Sequence, residues 1–357
     1  MRYHSKREKL IEKMLDGFRA REARAGERIA SVRLLSSELG VTPVTTMRML
    51  DEMVKTGVLR KETNRGYYLA RSFQAKPRIG CCGVSTVLDG KPSKDLANEA
   101  STVLFEHFHA IGCEPILLDY NELASGMAEE KLSKLDGLLL QSDCVDAKTI
   151  PILQKFAGRI VAFNYNALYT NIACSQVMTD FRRTIAEFIL RCDLKQYERV
   201  LVICPINDNA LAINQIFKNQ FSAAGLDTVD YLTLDTSKET AELVAYKYFT
   251  ENKKIDWTRR LVIPLSGNYV TGIVAALPLN AGCPDVLCFD NQEKHHLFNG
   301  LSEPYFTAVD RNMPLVFTRA LDLILELLRD SSQENCCVFV PATLVIRKSI
   351  KYWLTAK

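Results

Sequence analysis

The amino-acid sequence predicts an α/β protein in two unequal parts, a small basic head and a much larger body. Three observations carry this. At 357 residues the chain exceeds what one hydrophobic core supports. Residues 1–70 read as short amphipathic helices ending in a hairpin, whereas beyond residue 78 short apolar runs alternate with longer amphipathic stretches. Charge divides at the same place: residues 1–78 hold 18 Lys+Arg against 9 Asp+Glu, a net of +9, and the remainder nets −6. A basic head on an acidic body points to a polyanionic partner for the head alone.

Within the head, Leu10, Ile11, Met14, Leu15 and Phe18 recur at helical spacing and predict a first helix over residues 6–18. Ser31 is placed to cap a second helix with Val32, Leu35 and Leu39 inward, and Gly40 ends it. Thr42 caps a third, with Pro43 in its first turn, where a missing N–H costs nothing. Its apolar stripe is read as Val44, Met47, Leu50 and Val54, leaving Thr45, Arg48, Glu52 and Lys55 on other faces. Gly57 stops this helix. Val58-Leu59 and Tyr67-Tyr68-Leu69 then read as two strands around a Lys61–Arg65 tip. Two helices, a tight turn and a basic hairpin are the layout of a winged helix-turn-helix. Laid in a major groove, such a third helix presents Thr45 and Arg48 to bases and phosphates. Arg33 would clamp a phosphate, Arg65 with Gly66 would approach the minor groove, and Ser31 and Thr42 at the helix starts complete the expected DNA-binding set. The competing reading is a three-helix protein-interaction module with solvated charges.

Residues 71–78 are polar, contain proline and read as a linker. The body follows with apolar runs at Ile79–Val84, Pro115–Leu118, Gly137–Leu140, Arg159–Phe163, Val200–Cys204, Val229–Leu234, Leu261–Leu265, Asp285–Phe289 and Phe306–Val309. Amphipathic stretches Leu96–Ile111, Phe181–Arg191, Ala210–Ala224 and Leu315–Leu328 separate them. Short, doubly buried strands alternating with helices predict parallel sheets, and the length suits two. Ligands of such sheets bind beyond the strands' carboxyl ends. The residues there are Ser85, Gln141, Ser142, Asn164, Asn207, Asn268 and Asp290, a set rich in amides and hydroxyls. Such groups suit a neutral ligand with many hydroxyls.

Other chemistry finds little support. No nucleophile elbow, P-loop or dinucleotide fingerprint follows a strand, so neither catalysis nor a cofactor is expected. All 11 cysteines lie beyond residue 80, mostly in apolar runs (Cys81, Cys82, Cys204, Cys288, Cys336, Cys337), which predicts buried reduced thiols. His107 with His109, and His295 with His296, lack the spacing of a metal site. The charged start MRYHSKREKL is no signal peptide and no apolar stretch is long enough to span a bilayer, so a cytoplasmic protein free of membranes is expected.

The head resembles the GntR-type winged helix at Ser31, Arg33, Leu39-Gly40-Val41, Thr42, Thr45, Arg48, Leu50, Gly57 and Gly66, about a fifth of the chain. It departs at Ala30, where that family has proline, and at Pro43, where it usually has a DNA-contacting arginine. The body, over residues 75–349, resembles the LacI-type effector domain, which shares the periplasmic-binding-protein fold. The carrying residues are Val177–Asp180 before a helix, Val286–Asp290, Phe306–Asp310 and the closing run VPATLVIRKS, Val340–Ser349. Sugar-responsive members commonly carry an arginine and an aspartate where this chain has Ile213 and Gly267; Asp290 is retained.

This combination resembles the arabinose-repressor architecture. The resemblance implies a winged helix-turn-helix at 1–70, a linker at 71–78 and a two-lobed, periplasmic-binding-protein-like domain at 79–349. The lobes are expected at 79–175 plus 293–320 and at 180–290 plus 321–349. It implies a bacterial transcription regulator, a repressor, binding a palindromic double-stranded DNA operator as a homodimer. Dimerisation would run through Leu96–Ile111 and Ala210–Ala224, and a sugar or polyol between the lobes would control the protein. The alternatives are a ligand-binding signalling protein whose head docks another protein, and an enzyme with a regulatory head.

Overall fold

The computed structural model describes residues 6–354 apart from residues 22, 64, 71–75, 85–95, 165–170, 207, 278, 280–281, 299 and 331. The chain divides into two compact units, Met1–Pro77 and Arg78–Lys357.

The first unit has helices α1 (Lys6–Ala20), α2 (Val32–Leu39) and α3 (Pro43–Lys55), then the antiparallel strands β1 (Leu59–Glu62) and β2 (Gly66–Leu69). Local chemistry sets the ends. Ser31 Oγ accepts from the Leu34 amide at 3.3 Å, Thr42 Oγ1 accepts from the Thr45 amide at 3.2 Å, and Gly40 closes α2 with a left-handed φ of 65°. The core gathers Met14 and Phe18 from α1, Leu35 from α2, Met49, Leu50 and Met53 from α3, and Leu59, Tyr67 and Leu69 from the hairpin.

The expected stripe on α3 is corrected in part. Leu50 is buried and Val54 packs against the core, but Val44 and Met47 are 55% and 43% exposed. Thr46 takes the inward place instead. Its Oγ1 lies 2.9 Å from Ser36 Oγ and 3.2 Å from the Thr42 carbonyl, and these bonds satisfy the hydroxyl it buries. The helix is thereby turned so that Thr46, Met49 and Met53 face in.

The second unit contains two six-stranded sheets, as the alternating pattern predicts. One sheet holds β3 (Ile79–Cys82), β4 (Ile116–Leu118), β5 (Gly137–Gln141), β6 (Arg159–Phe163), β7 (Ser175–Asp180) and β13 (Cys337–Pro341), in the order β13-β7-β6-β5-β3-β4 and all parallel. The other holds β8 (Arg199–Pro205), β9 (Val229–Leu234), β10 (Arg260–Pro264), β11 (Asp285–Phe289), β12 (Thr307–Asp310) and β14 (Thr343–Val345), in the order β14-β12-β11-β10-β8-β9, with β14 antiparallel. The central strands are buried on both faces, which is why they read as unbroken apolar runs.

Helices α4 (Leu96–Ala110), α5 (Tyr120–Ala124), α6 (Glu129–Leu132), α7 (Ile150–Leu153) and α12 (Met313–Arg329) belong to the first sheet's lobe; α8 (Arg182–Arg191), α9 (Asp208–Ala223), α10 (Ala241–Glu251) and α11 (Asn268–Ala276) belong to the second. Helix α12 lies directly on β5–β7, and a Cβ on Gly137 would stand 2.6 Å from Ile324.

The chain passes between the lobes three times: at Phe181, at Arg311–Asn312 and at Ala342. This corrects the expected lobe segments. Residues 293–310, including β12, lie with the second lobe; α12 and β13 return to the first; β14 and the following residues rejoin the second. The apolar face of α12 (Val316, Phe317, Ala320, Leu321, Ile324) is what draws residues 313–329 onto the first sheet. A second correction concerns thiols. Cys336 and Cys337 are exposed because β13 is an edge strand, whereas Cys81, Cys82, Cys204 and Cys288 are buried as expected. Among the described residues no helix is long and apolar enough to cross a membrane.

Candidate functional site

All three crossings leave the carboxyl ends of β7, β12 and β13, so the carboxyl ends of both sheets are turned toward the junction of the lobes. Hydrogen bonds lace the crossings together. The Ala342 amide donates to the Asp180 carbonyl at 3.1 Å, Thr179 Oγ1 to the Arg311 carbonyl at 3.2 Å, and Asn312 Nδ2 to the Pro341 carbonyl at 2.6 Å. Arg182 pairs with Asp180 at 2.9 Å, which holds that carboxyl below the usual carboxylate range, and its guanidinium lies 5.1 Å from the Phe339 ring centre.

Backbone conformation singles out the same ends. Among the described residues, those other than glycine with positive φ are Asn164 (60°), Asp290 (73°) and Asn312 (52°), and each directly follows or lies close behind β6, β11 or β12. Left-handed residues with side chains cost energy and persist where the surroundings hold them, often at functional sites. Asp290 is nearly buried. Its Oδ1 accepts from Arg311 Nε, and its amide donates to the Val309 carbonyl at 3.2 Å.

Of the residues expected to hold a ligand, Gln141 ends β5, Asn164 follows β6, Asn268 opens α11 and Asp290 follows β11. Asn268 is exposed and accepts from Gln292 Nε2 at 2.9 Å. Ser142 is buried and hydrogen-bonds Asp143 at 3.3 Å. Ser85 and Asn207 lie outside the described residues. Ile213 is packed in the second lobe's core, and a Cβ on Gly267 would stand 2.6 Å from the Gln292 side chain, so Gln292 fills that space.

Sequence reading missed a set of neighbours. Arg311 pairs with Asp290; Asn291 donates to Asp310 at 3.0 Å and accepts from Arg347 at 2.6 Å; the Asn312 amide donates to Asp310 at 2.9 Å. The two residues after the apolar run Phe306–Val309 are Asp310 and Arg311, the signal by which the strand-end rule finds them. Two cavities, about 420 Å³ and 260 Å³, lie at the opposite ends of β5 and β6 around Phe156–Gly158, away from these residues.

In the first unit, Ser31 and Thr42 are engaged as helix caps, and Thr45 Oγ1 lies 2.9 Å from Thr42 Oγ1. Arg33 on α2 and Arg48 on α3 are exposed and have no ion-pair partner among the described residues. Arg65 reaches Glu62 only at 4.0 Å, and Gly66 adopts a φ of 106°.

No protein-family model matches the chain, and comparison with curated proteins gives no match. Solved structures do resemble it. A regulatory protein of the LacI family from Chloroflexus aggregans superposes with a TM-score of 0.59 at 15% identity, covering 77% of this chain and 99% of its own. The LacI family transcriptional regulator from Enterococcus faecalis V583, with bound ribose, gives 0.55 at 16% identity over 76% and 98%. The periplasmic binding protein/LacI transcriptional regulator from Alkaliphilus metalliredigens QYMF, complexed with D-xylulofuranose, gives 0.55 at 13% over 77% and 100%. At such identities the likeness establishes a fold, the two-sheet periplasmic-binding-protein-like fold of LacI-type effector domains.

Proposed function

We propose that the chain is a sugar-sensing transcription regulator, a repressor that binds DNA through residues 1–70 and a small hydroxylated effector between the lobes of the second unit. The observation that carries the reading is the polar rim at the strand ends, whose carboxylates are already engaged by neighbouring side chains and amides. Asp290 is paired with Arg311 and Asp180 with Arg182, while Asp310 is held by hydrogen bonds from neutral Asn291 and the Asn312 amide. A rim whose carboxylates are engaged in this way favours a neutral ligand with several hydroxyls over an ionic one. Gln141, Asn164, Asn268 and Asp290 are its proposed contacts, with Arg311 added. The sugars bound to the structural neighbours support the same ligand class.

The head is proposed to be a GntR-type winged helix-turn-helix. Arg33, Thr45, Arg48, Arg65 and Gly66 are the proposed DNA contacts, while Ser31 and Thr42 act as caps that aim the helices. Exposed Val44 and Met47 add apolar contacts suited to thymine methyl groups. A palindromic operator would then call for a homodimer. Leu211 on α9 and Ile111 just beyond α4 are exposed in the two stretches proposed to form its interface.

Two measurements test this. Fluorescence anisotropy with duplexes selected from a random library should give binding that weakens steeply with salt, as phosphate neutralisation requires. A thermal-shift screen of pentoses, hexoses and polyols should give at least one stabilising ligand, which then alters operator affinity. Salt-independent or absent DNA binding refutes the regulator reading; a screen answered only by ionic compounds refutes the sugar reading.

A further inference from the structure

Away from the three crossings, a side chain of the first lobe reaches across to the second. Glu99 stands in the first turn of α4, and its Oε1 and Oε2 lie 3.2 and 3.4 Å from Lys294 Nζ. Its Oε2 also lies 2.8 Å from His295 Nε2, a buried nitrogen out of line for a full hydrogen bond. The three side chains are 32%, 47% and 21% exposed, so the contact is partly shielded from solvent.

What makes the contact consequential is where Lys294 sits. It ends the short 3-10 turn Gln292–Lys294, which begins two residues after Asp290 and whose Gln292 holds Asn268. Buried Glu293 fixes that turn by accepting from the Tyr305 amide at 3.0 Å and the Phe306 amide at 2.7 Å. A pull on Lys294 is therefore transmitted to the strand end that carries the proposed ligand contacts.

We propose that Glu99, Lys294 and His295 form an ionic latch that favours the closed arrangement of the lobes and so sets effector affinity from outside the ligand site. Lys294 supplies the charge of the latch, and His295 stands beside it. Closure of the lobes without ligand depends on this latch, and its effect on effector binding rests on the proposed sugar-sensing reading.

The test uses the full chain carrying a fluorescent pair, introduced as unnatural amino acids at exposed Leu117 in the first lobe and exposed Leu243 in the second. Glu99→Gln should shift the open-to-closed ratio toward open by about 2- to 5-fold, the scale of partly exposed ion pairs. Raising salt should do the same to the wild type and little to the variant. Glu99→Lys should open the lobes, and Glu99→Lys combined with Lys294→Glu should close them again, which separates loss of the latch from loss of the fold. Equal energy transfer and equal salt response in wild type and Glu99→Gln would overturn the latch. Titration with D-ribose and D-xylulose is the second arm, in which Glu99→Gln should bind about 2- to 5-fold more weakly. If the lobes open as expected but no sugar binds the wild type, the latch stands and the sugar-sensing reading falls.

Discussion

Replacing Asp290 with alanine should separate the two activities proposed for this chain while leaving a measurable mark on stability. The Asp290 and Arg311 side chains are 12% and 20% exposed, so the variant strands a guanidinium that water reaches poorly. Removing one partner of a fully buried pair costs ~3–5 kcal/mol. With a fifth of Arg311 in contact with solvent, we discount this to about 2–3 kcal/mol. The assay is urea unfolding followed by tryptophan fluorescence. Both tryptophans report on the lobe that holds Asp290: Trp257 packs in its core beside Phe249, and Trp353 stands edge-on to Phe188. Replacing Arg311 with methionine as well should recover much of the loss, because no stranded charge remains; the cycle should show coupling above ~1 kcal/mol. The single variant should lose its response to the effector and keep operator affinity. A cost below ~0.5 kcal/mol, or additive single changes, would refute the pairing argument; lost DNA binding in a folded variant would refute the division of labour.

Three further outcomes are expected. Ser349→Ala should destabilise the second lobe by about 2–4 kcal/mol in the same fluorescence assay, because Ser349 Oγ accepts from the Thr307 amide at 2.8 Å and donates to the Val286 carbonyl at 2.7 Å, and both groups would be orphaned; an unchanged urea midpoint contradicts this. Arg48→Ala should cost ~1–3 kcal/mol of operator binding by anisotropy if it reads a base, and undiminished affinity and specificity would remove it from the interface. Met47→Ser should alter stability by less than ~0.5 kcal/mol, since the side chain is exposed, while relaxing any preference for thymine in selected duplexes; a loss of several kcal/mol would return Met47 to the core.

What the sequence disclosed followed how local each determinant is. Ser31, Gly40 and Thr42 act within a few residues of themselves, so the ends of α2 and α3 were readable. The inward face of α3 was not, because it depends on Thr46 meeting Ser36 from another helix, and an apolar stripe over 13 residues tolerates a one-residue rotation. Runs such as Leu261–Leu265 announced themselves because both faces are covered. Strand β13 did not, since Cys337, Phe339 and Pro341 face outward on an edge. The period of α12 told that it has an apolar face but not which sheet receives it. At the site, Asn164 and Asp290 follow from the strand-end rule. The pairing of Asp290 with Arg311 joins residues 21 apart, and only the folded order of β11 and β12 makes them neighbours.

The hinge gives the proposed ligand response a physical route. Arg311 belongs to two contacts at once: its guanidinium holds Asp290 in the second lobe, and its carbonyl accepts from Thr179 in the first. A ligand that engages the Asp290–Arg311 pair therefore acts on a crossing segment directly, one residue before left-handed Asn312 ties it to the crossing at Ala342. The head continues into the first lobe, where the Arg78 amide donates to Asp136 at 2.7 Å and the Arg78 carbonyl accepts from Asp136 and Gly137. The size of the response is bounded by linkage. An effector shifts operator affinity only by its preference for one lobe arrangement, typically about 1–3 kcal/mol. A latch that already favours closure uses up part of that range, so weakening it at Glu99 should lower effector affinity and widen the swing in DNA binding together. Two changes of opposite benefit from one carboxylate on neither ligand's surface are what a hinge under competing loads requires.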